Sequence, residues 1–459
     1  MGFNILGKTI NVVSYEISEC KSYVFKGSSF FKNTPEDFHG SVEIEIFSAV
    51  DMVFPYPAIT YAIKSLNGFT FVHTCGRIYN DLNDFNINNE QVVPETGFDV
   101  ILNKNYNPFF SFVNGPEEIL SEPFQLEFIN TDGEKIVESR VIKNIKSYGL
   151  VIVNLIESEN IRSVFKDEKI TVKIKHNFKG FFPRFVVGNI YKEFSDISLS
   201  HSYYDNSVDD SKFSIFQNPE KNKFYDAVTA VPVNNTYDKI ELAIYPNFSN
   251  LPFNLIFQLF DFKGEKIEES NKIYKINNKN QRLLYISFKE VFKKIKNLEK
   301  TGMVKVIADG NGQVPSRIKF GLNISRASNQ VNLPSNVCFN ANLPNTKILS
   351  KPGTFKWCPI FDAQNQSVFI HNLSFVKNGF GEGDLKIQVF REKDKKILEW
   401  DQKISEHQTI DILLDKSIEI SDFLSNSIGW ITINSTNPFI IGYYVTDFGK
   451  GVIGADHIF

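Results

Sequence analysis

The chain repeats itself with a period of about 125 to 130 residues, which marks tandem domains and not a solenoid of short units. Four segments share one layout. They are SVEIEIFSAVDMVFPYPAITYAI (41–63), KITVKIKHNFKGFFPRFVVGNI (169–190), GMVKVIADGNGQVPSRIKFGLNI (302–324) and GWITINSTNPFIIGYYV (429–445). Each reads as an alternating apolar strand, a connection, a proline and a second apolar strand. The prolines are Pro57, Pro183, Pro315 and Pro438. A second landmark keeps the same phase: GKTI at 7–10, GEKI at 133–136, GEKI at 264–267 and DKKI at 394–397.

Within a unit the pattern is that of an antiparallel sheet protein. In FQLEF, Phe124, Leu126 and Phe128 fall on one face, the period of a half-buried strand. NTDGEKI follows, and Asp-Gly supports the positive φ of a tight hairpin turn. One short helical crossing separates two late strands. In the third unit it carries Phe288, Val291, Phe292, Ile295 and Leu298 at helical spacing. These signals predict an all-β chain of tandem immunoglobulin-like antiparallel β-sandwich repeats, three complete units and one shortened N-terminal unit. The expected boundaries are 1–90, 91–215, 216–348 and 349–459. The first unit enters the repeat at its GKTI hairpin, so the opening strands are missing. Val42, Ile44, Ile46, Ile59 and Tyr61 then need cover from a neighbouring unit or another subunit.

Composition excludes several classes. With 50 basic and 53 acidic residues, the chain has no field to attract nucleic acid. No stretch of apolar residues is long enough for a membrane span. No signal peptide is visible, which reads as cytoplasmic, with the cell surface or a virion reached by a non-classical route left open. Cys20, Cys75, Cys338 and Cys358 form no C-x-x-C pair and are expected as free buried thiols. The 44 phenylalanines are expected mostly in cores.

Nucleotide-binding and hydrolase motifs are absent, and no cofactor or metal is expected from residue spacing. The recurring polar feature is a histidine near the end of the closing strand. His73, His201 and His457 occupy this place, and the third unit offers Asn336. Arg77 follows His73, while Tyr203, Tyr204 and Asp205 follow His201. One reading is structural, with the rings tying down loop carbonyls. The other is ligand contact at His73, Arg77, His201, Tyr203, Tyr204 and His457.

Two functions follow. The first is a non-catalytic binding or assembly protein with a glycan, surface-polymer or protein partner, able to oligomerise through the shortened first unit. Tyr203 and Tyr204 are its candidate aromatic platform. The alternative is a hydrolase or lyase, with His73, His201 and Asp205 forming a His/carboxylate site between the first two units.

Overall fold

In the computed structural model, 56% of the chain is strand and 6% helix. The structure describes residues 1–16, 23–27, 30–31, 38–47, 59–73, 78, 95–102, 104–156, 159–165, 169–182, 184–191, 196–204, 215–245, 251–277, 283–326, 333–344, 351–377, 381–394, 396–413 and 418–459.

The first unit contributes β1 (Gly2–Asn4), β2 (Thr9–Asn11), β3 (Gly40–Val42), β4 (Thr60–Lys64) and β5 (Phe69–His73). The second contributes β6 (Glu95–Ile101), β7 (Tyr106–Val113), β8 (Ile119–Asn130), β9 (Lys135–Ile145), β10 (Leu150–Asn154), β11 (Lys169–Lys175), β12 (Val186–Tyr191) and β13 (Asp196–His201). Short strands β14 (Tyr203–Tyr204) and β15 (Ile215–Gln217) lead onward. The third unit has β16 (Ala227–Val233), β17 (Lys239–Ile244), β18 (Phe253–Phe260), β19 (Lys266–Glu269), β20 (Tyr274–Ile276), β21 (Leu284–Ser287), β22 (Gly302–Asp309), β23 (Gln313–Pro315), β24 (Lys319–Ser325) and β25 (Val337–Asn340). The fourth has β26 (Thr354–Ile360), β27 (Gln366–Asn372), β28 (Gly383–Arg391), β29 (Ile397–Ile404), β30 (Thr409–Leu413), β31 (Gly429–Ser435), β32 (Ile440–Asp447) and β33 (Ile453–His457).

The last three units share one topology. Their sheets run β6-β11-β8-β9 against β10-β7-β12-β13, β16-β22-β18-β19 against β21-β17-β24-β25, and β26-β31-β28-β29 against β30-β27-β32-β33. Counted within a unit, strands one, six, three and four form one sheet, and five, two, seven and eight the other. The inner triplets one-six-three and two-seven-eight have the neighbour relations of the B-E-D and C-F-G strands of an immunoglobulin domain. Every pairing between these strands is antiparallel, as alternating strands joined by tight turns require. The helical crossings lie between the fifth and sixth strands, at Glu159–Val164, Phe288–Val291 and Ile418–Leu424. In the third unit Phe288, Phe292 and Ile295 are fully buried against the core.

The first unit keeps part of the same plan. Its sheet order β2-β1-β3 is the four-three-six order of its siblings, and β4-β5 is the seven-eight hairpin. The turn chemistry confirms the match. Asn4 Oδ1 accepts from Leu6 and Lys8 amides, Asn130 Oδ1 from Asp132 and Glu134, and Asp261 Oδ1 from Lys263 and Glu265. Strands one and two have no counterpart among the described residues of this unit. Among those residues, the edges of β3 and β4 that those strands occupy elsewhere are therefore open, and Val42, Ile44 and Tyr61 are exposed.

Pro315 and Pro438 both precede the seventh strand of their units, whereas Pro57 and Pro183 lie outside the described residues. Cys338 and Cys358 are free and buried, and Cys20 and Cys75 lie outside the described residues. No helix of the described residues is long and apolar enough to cross a membrane.

Candidate functional site at the junction of the closing hairpins

The closing strands of the four units meet. β5 packs between β13 and β33, and β25 packs against β13 and β33 in turn. Alternation along β5 splits its two faces between different units. Phe71 stacks on Tyr444, with centroids 4.7 Å apart, in the fourth unit's core, while Val72 packs with Phe109 and Leu199 of the second. A strand with no wet face is buried at successive residues, as Thr70, Phe71, Val72 and His73 are.

Buried hydrogen bonds fix this hairpin from both sides. Asn67 donates its amide and its Nδ2 to Asp196 at 3.1 and 2.6 Å. Leu199 donates to Thr70 Oγ1 at 2.8 Å, and Thr446 Oγ1 donates to the Phe69 carbonyl at 3.1 Å. The His73 amide donates to Asp456 Oδ2 at 3.2 Å.

The three histidines come together here. His73 lies edge-on to His201 at 4.4 Å and to His457 at 4.8 Å between ring centroids. Each Nδ1 faces an oxygen: Asp456 Oδ2 at 3.0 Å for His73, the Ser202 carbonyl at 2.9 Å for His201 and the Ile458 carbonyl at 3.2 Å for His457. A carbonyl can only accept, so Nδ1 of His201 and His457 carries the proton and Nε2 the lone pair. His201 Nε2 is buried without a hydrogen-bond partner. Burial pushes His201 well below the ordinary histidine range, helped by His73 and Arg184. Burial holds His457 down to about 4 against the attraction of Asp456. For Asp456, burial raises the carboxyl, but His73 and His457 outweigh it and hold it low. The ligand atoms of His73, Asp456 and His457 lie within 4.8 Å of one another.

Other expected site residues are placed differently. Asn336 stands before β25 and not at the end of the closing strand, so it is not the counterpart of the histidines. It reaches the same region, accepting from Ser200 Oγ at 3.1 Å. Tyr203 is buried and stacks on Tyr245 at 4.4 Å, so it offers no open aromatic platform. The Tyr204 side chain, Arg77 and Asp205 lie outside the described residues. His73 and His201 do meet, but both are buried and line no open cleft among the described residues.

Two junction groups escape sequence reasoning. Asp99 of β6 enters the third unit, where Tyr245, Tyr285, Asn323 and Asn336 all donate to its carboxylate. Lys305 of β22 is fully buried, with Nζ 3.1 Å from His407 Nε2 and 4.4 Å over the Tyr225 ring. Burial pushes it down to about 7, against the pull of Glu406. A charge inside a strand apolar on both faces was a signal for Lys305. Nothing in the sequence around Asp99 singles it out.

No family model matches the chain, and no curated protein matches it. Among solved structures, one of tripeptidyl peptidase 2 aligns with 76% of this chain and 34% of its own, at 10% identity and TM-score 0.15. The chain thus spans about a third of that peptidase's length. A tetra-tandem repeat from the extending region of a large adhesion protein aligns with 79% of this chain and 72% of its own, at 6% identity and TM-score 0.10. Likeness at this level says nothing about activity.

Proposed function

We propose that this chain is a non-catalytic assembly protein, in which a body of three packed sandwiches carries an N-terminal unit whose exposed apolar surface a protein partner covers. The carrying observation is the pair of open edges on β3 and β4 among the described residues, where every sibling unit holds its first and second strands. Of 21 large apolar side chains exposed among the described residues, 12 fall between Ile5 and Leu66, so exposure concentrates in that unit. Strands with open edges and apolar faces accept a strand from another chain, with main-chain hydrogen bonds supplying affinity and alternate side chains specificity. A second copy of the chain is the partner to test first.

The test is sedimentation velocity on the full chain with Ile44→Asp and Tyr61→Asp variants. Both positions are exposed, so the fold tolerates the change. Concentration-dependent association of the wild type, abolished in the variants, supports the reading. A monomeric wild type at tens of micromolar, unable to recruit an added peptide with the sequence of β6 or β7, overturns it.

A glycan partner is favoured by one observation. An open groove on the first sheet of the fourth unit is lined by Phe355, Lys386, Asp401, Lys403 and Asn434, with Phe355 58% exposed. An apolar ring among hydrogen-bonding groups is a platform for an amphipathic ligand. Binding on a glycan array that Phe355→Ala removes would support this reading, and an array without signal would reject it.

A further inference from the structure

We propose that the junction of the closing hairpins is a binding site for one divalent transition-metal ion of the zinc class, held by His73, His457, Asp456 and His201. This goes beyond the assembly reading and does not depend on it.

The donors come from three units and converge by folding alone: β5 brings His73, β13 brings His201 and β33 brings the Asp456–His457 pair. Their chemistry is that of metal ligands. A ligating imidazole offers one nitrogen to the ion and donates the other N–H to a carboxylate or carbonyl, which fixes tautomer and ring orientation. All three rings already have Nδ1 against such an oxygen. On His201 and His457 the nitrogen to face an ion is then Nε2, and on His201 it is buried and unpartnered. Leaving such an acceptor unmet costs free energy that a metal bond would recover.

Spacing fits after a modest closure. Tetrahedral zinc holds nitrogen and oxygen ligands at about 2.0–2.1 Å, which sets them roughly 3.4 Å apart. His73, Asp456 and His457 offer ligand atoms within 4.8 Å, so side-chain rotation of roughly an ångström or more closes these three, and His201, whose ring lies 4.4 Å from that of His73, is placed to add the fourth donor. Asp456 already accepts from the His73 and His457 amides, which orients its carboxylate.

The surroundings select the ion. The donors are imidazole nitrogens with one carboxylate. Imidazole donors favour zinc, copper or nickel over calcium or magnesium.

The experiment uses the untagged full chain, dialysed against chelator and titrated with Zn²⁺ by calorimetry and with Co²⁺ by visible absorption. Expected are one ion per chain at micromolar dissociation constant or tighter, tetrahedral Co²⁺ bands, and a higher melting temperature with Zn²⁺. His201→Gln weakens binding at least tenfold, whereas His371→Gln, at a buried histidine paired with Thr409, does not. If a variant fails to fold, wild-type Co²⁺ absorption decides. A wild type without stoichiometric binding, or binding that His201→Gln leaves unchanged, overturns the proposal.

Discussion

Tyr285 donates its phenol to the carboxylate of Asp99, 186 residues earlier in the chain. Tyr245, Asn323 and Asn336 donate to the same group, so the second unit places one carboxylate inside a ring of donors from the third. Beside it, Lys169 and Glu241 form an ion pair across the same junction.

Asp99→Ala should cost about 3–5 kcal/mol, because it strands several buried donors at once. Asp99→Asn, which keeps one acceptor, should cost less. Urea unfolding of the two variants decides. Equal and small losses would show that the donors find other partners.

The first-to-second and third-to-fourth junctions repeat a contact. Phe3 stacks on Tyr148 and Phe260 on His407, with centroids 5.7 and 4.3 Å apart. Tyr148 and His407 both have positive φ, at 58° and 57°. Gly7 and Gly264, in the preceding unit's hairpin turns, have φ of 75° and 91°, and a Cβ on Gly7 would strike the backbone of residues 147–149, one on Gly264 that of residues 406–408, in the following unit. Gly7→Ala and Gly264→Ala should each destabilise by more than about 1 kcal/mol, from strain and collision together. Unchanged melting temperatures would show that the turns slide apart freely.

Acid should destabilise the fold through its buried neutral histidines. Burial lowers His371 to about 3 and His176 to about 4, from an unfolded value of 6.5. A depressed folded value means the unfolded chain takes up the proton first. Stability is therefore full above pH 6.5 and falls below it, until the folded ring also titrates. Each should remove about 2 kcal/mol between pH 7 and pH 5. His371→Phe, measured against the wild type by denaturant unfolding at both pH values, should lose its share of that dependence. Parallel profiles would contradict it.

Lys305 gives the opposite end of the scale. Its folded value near 7 lies below the ordinary 10.5, so the unfolded chain holds the proton more tightly. Stability should rise as pH increases from 7 towards 10.5 and be flat in this term below 7. Lys305→Met should be more stable than the wild type at pH 7, with the gap narrowing by pH 10. A wild type that is the more stable protein at pH 7 would assign Lys305 a compensating partner.

Sequence reasoning reaches the sandwiches because each is local. The Asn4, Asn130 and Asp261 turns and the alternation of Phe124, Leu126 and Phe128 are written within short stretches. The site is legible only in half. Recurrence of His73, His201 and His457 marks the position, but their meeting depends on how units pack, and His73 and Asp456 lie 383 residues apart. The misplacement of Asn336 has the same origin, since spacing from a proline ignores where the strand begins. One signal was available: AVTAVPV at Ala227–Val233 has no charged residue on either face, which a sandwich facing water on its outer side would not show, and every residue of it is buried.

The β4–β5 hairpin has a temporal consequence. Its seat is walled on one side by β33, at the far end of the chain, so it cannot be occupied until ribosomal synthesis has passed residue 457. A hairpin made before the second unit thus settles last, and the second and third units can fold while it waits. A chain stalled or cut short before β33 would keep Phe71 without its berth. Slow closure of so distant a contact is where aggregation of the nascent protein should begin.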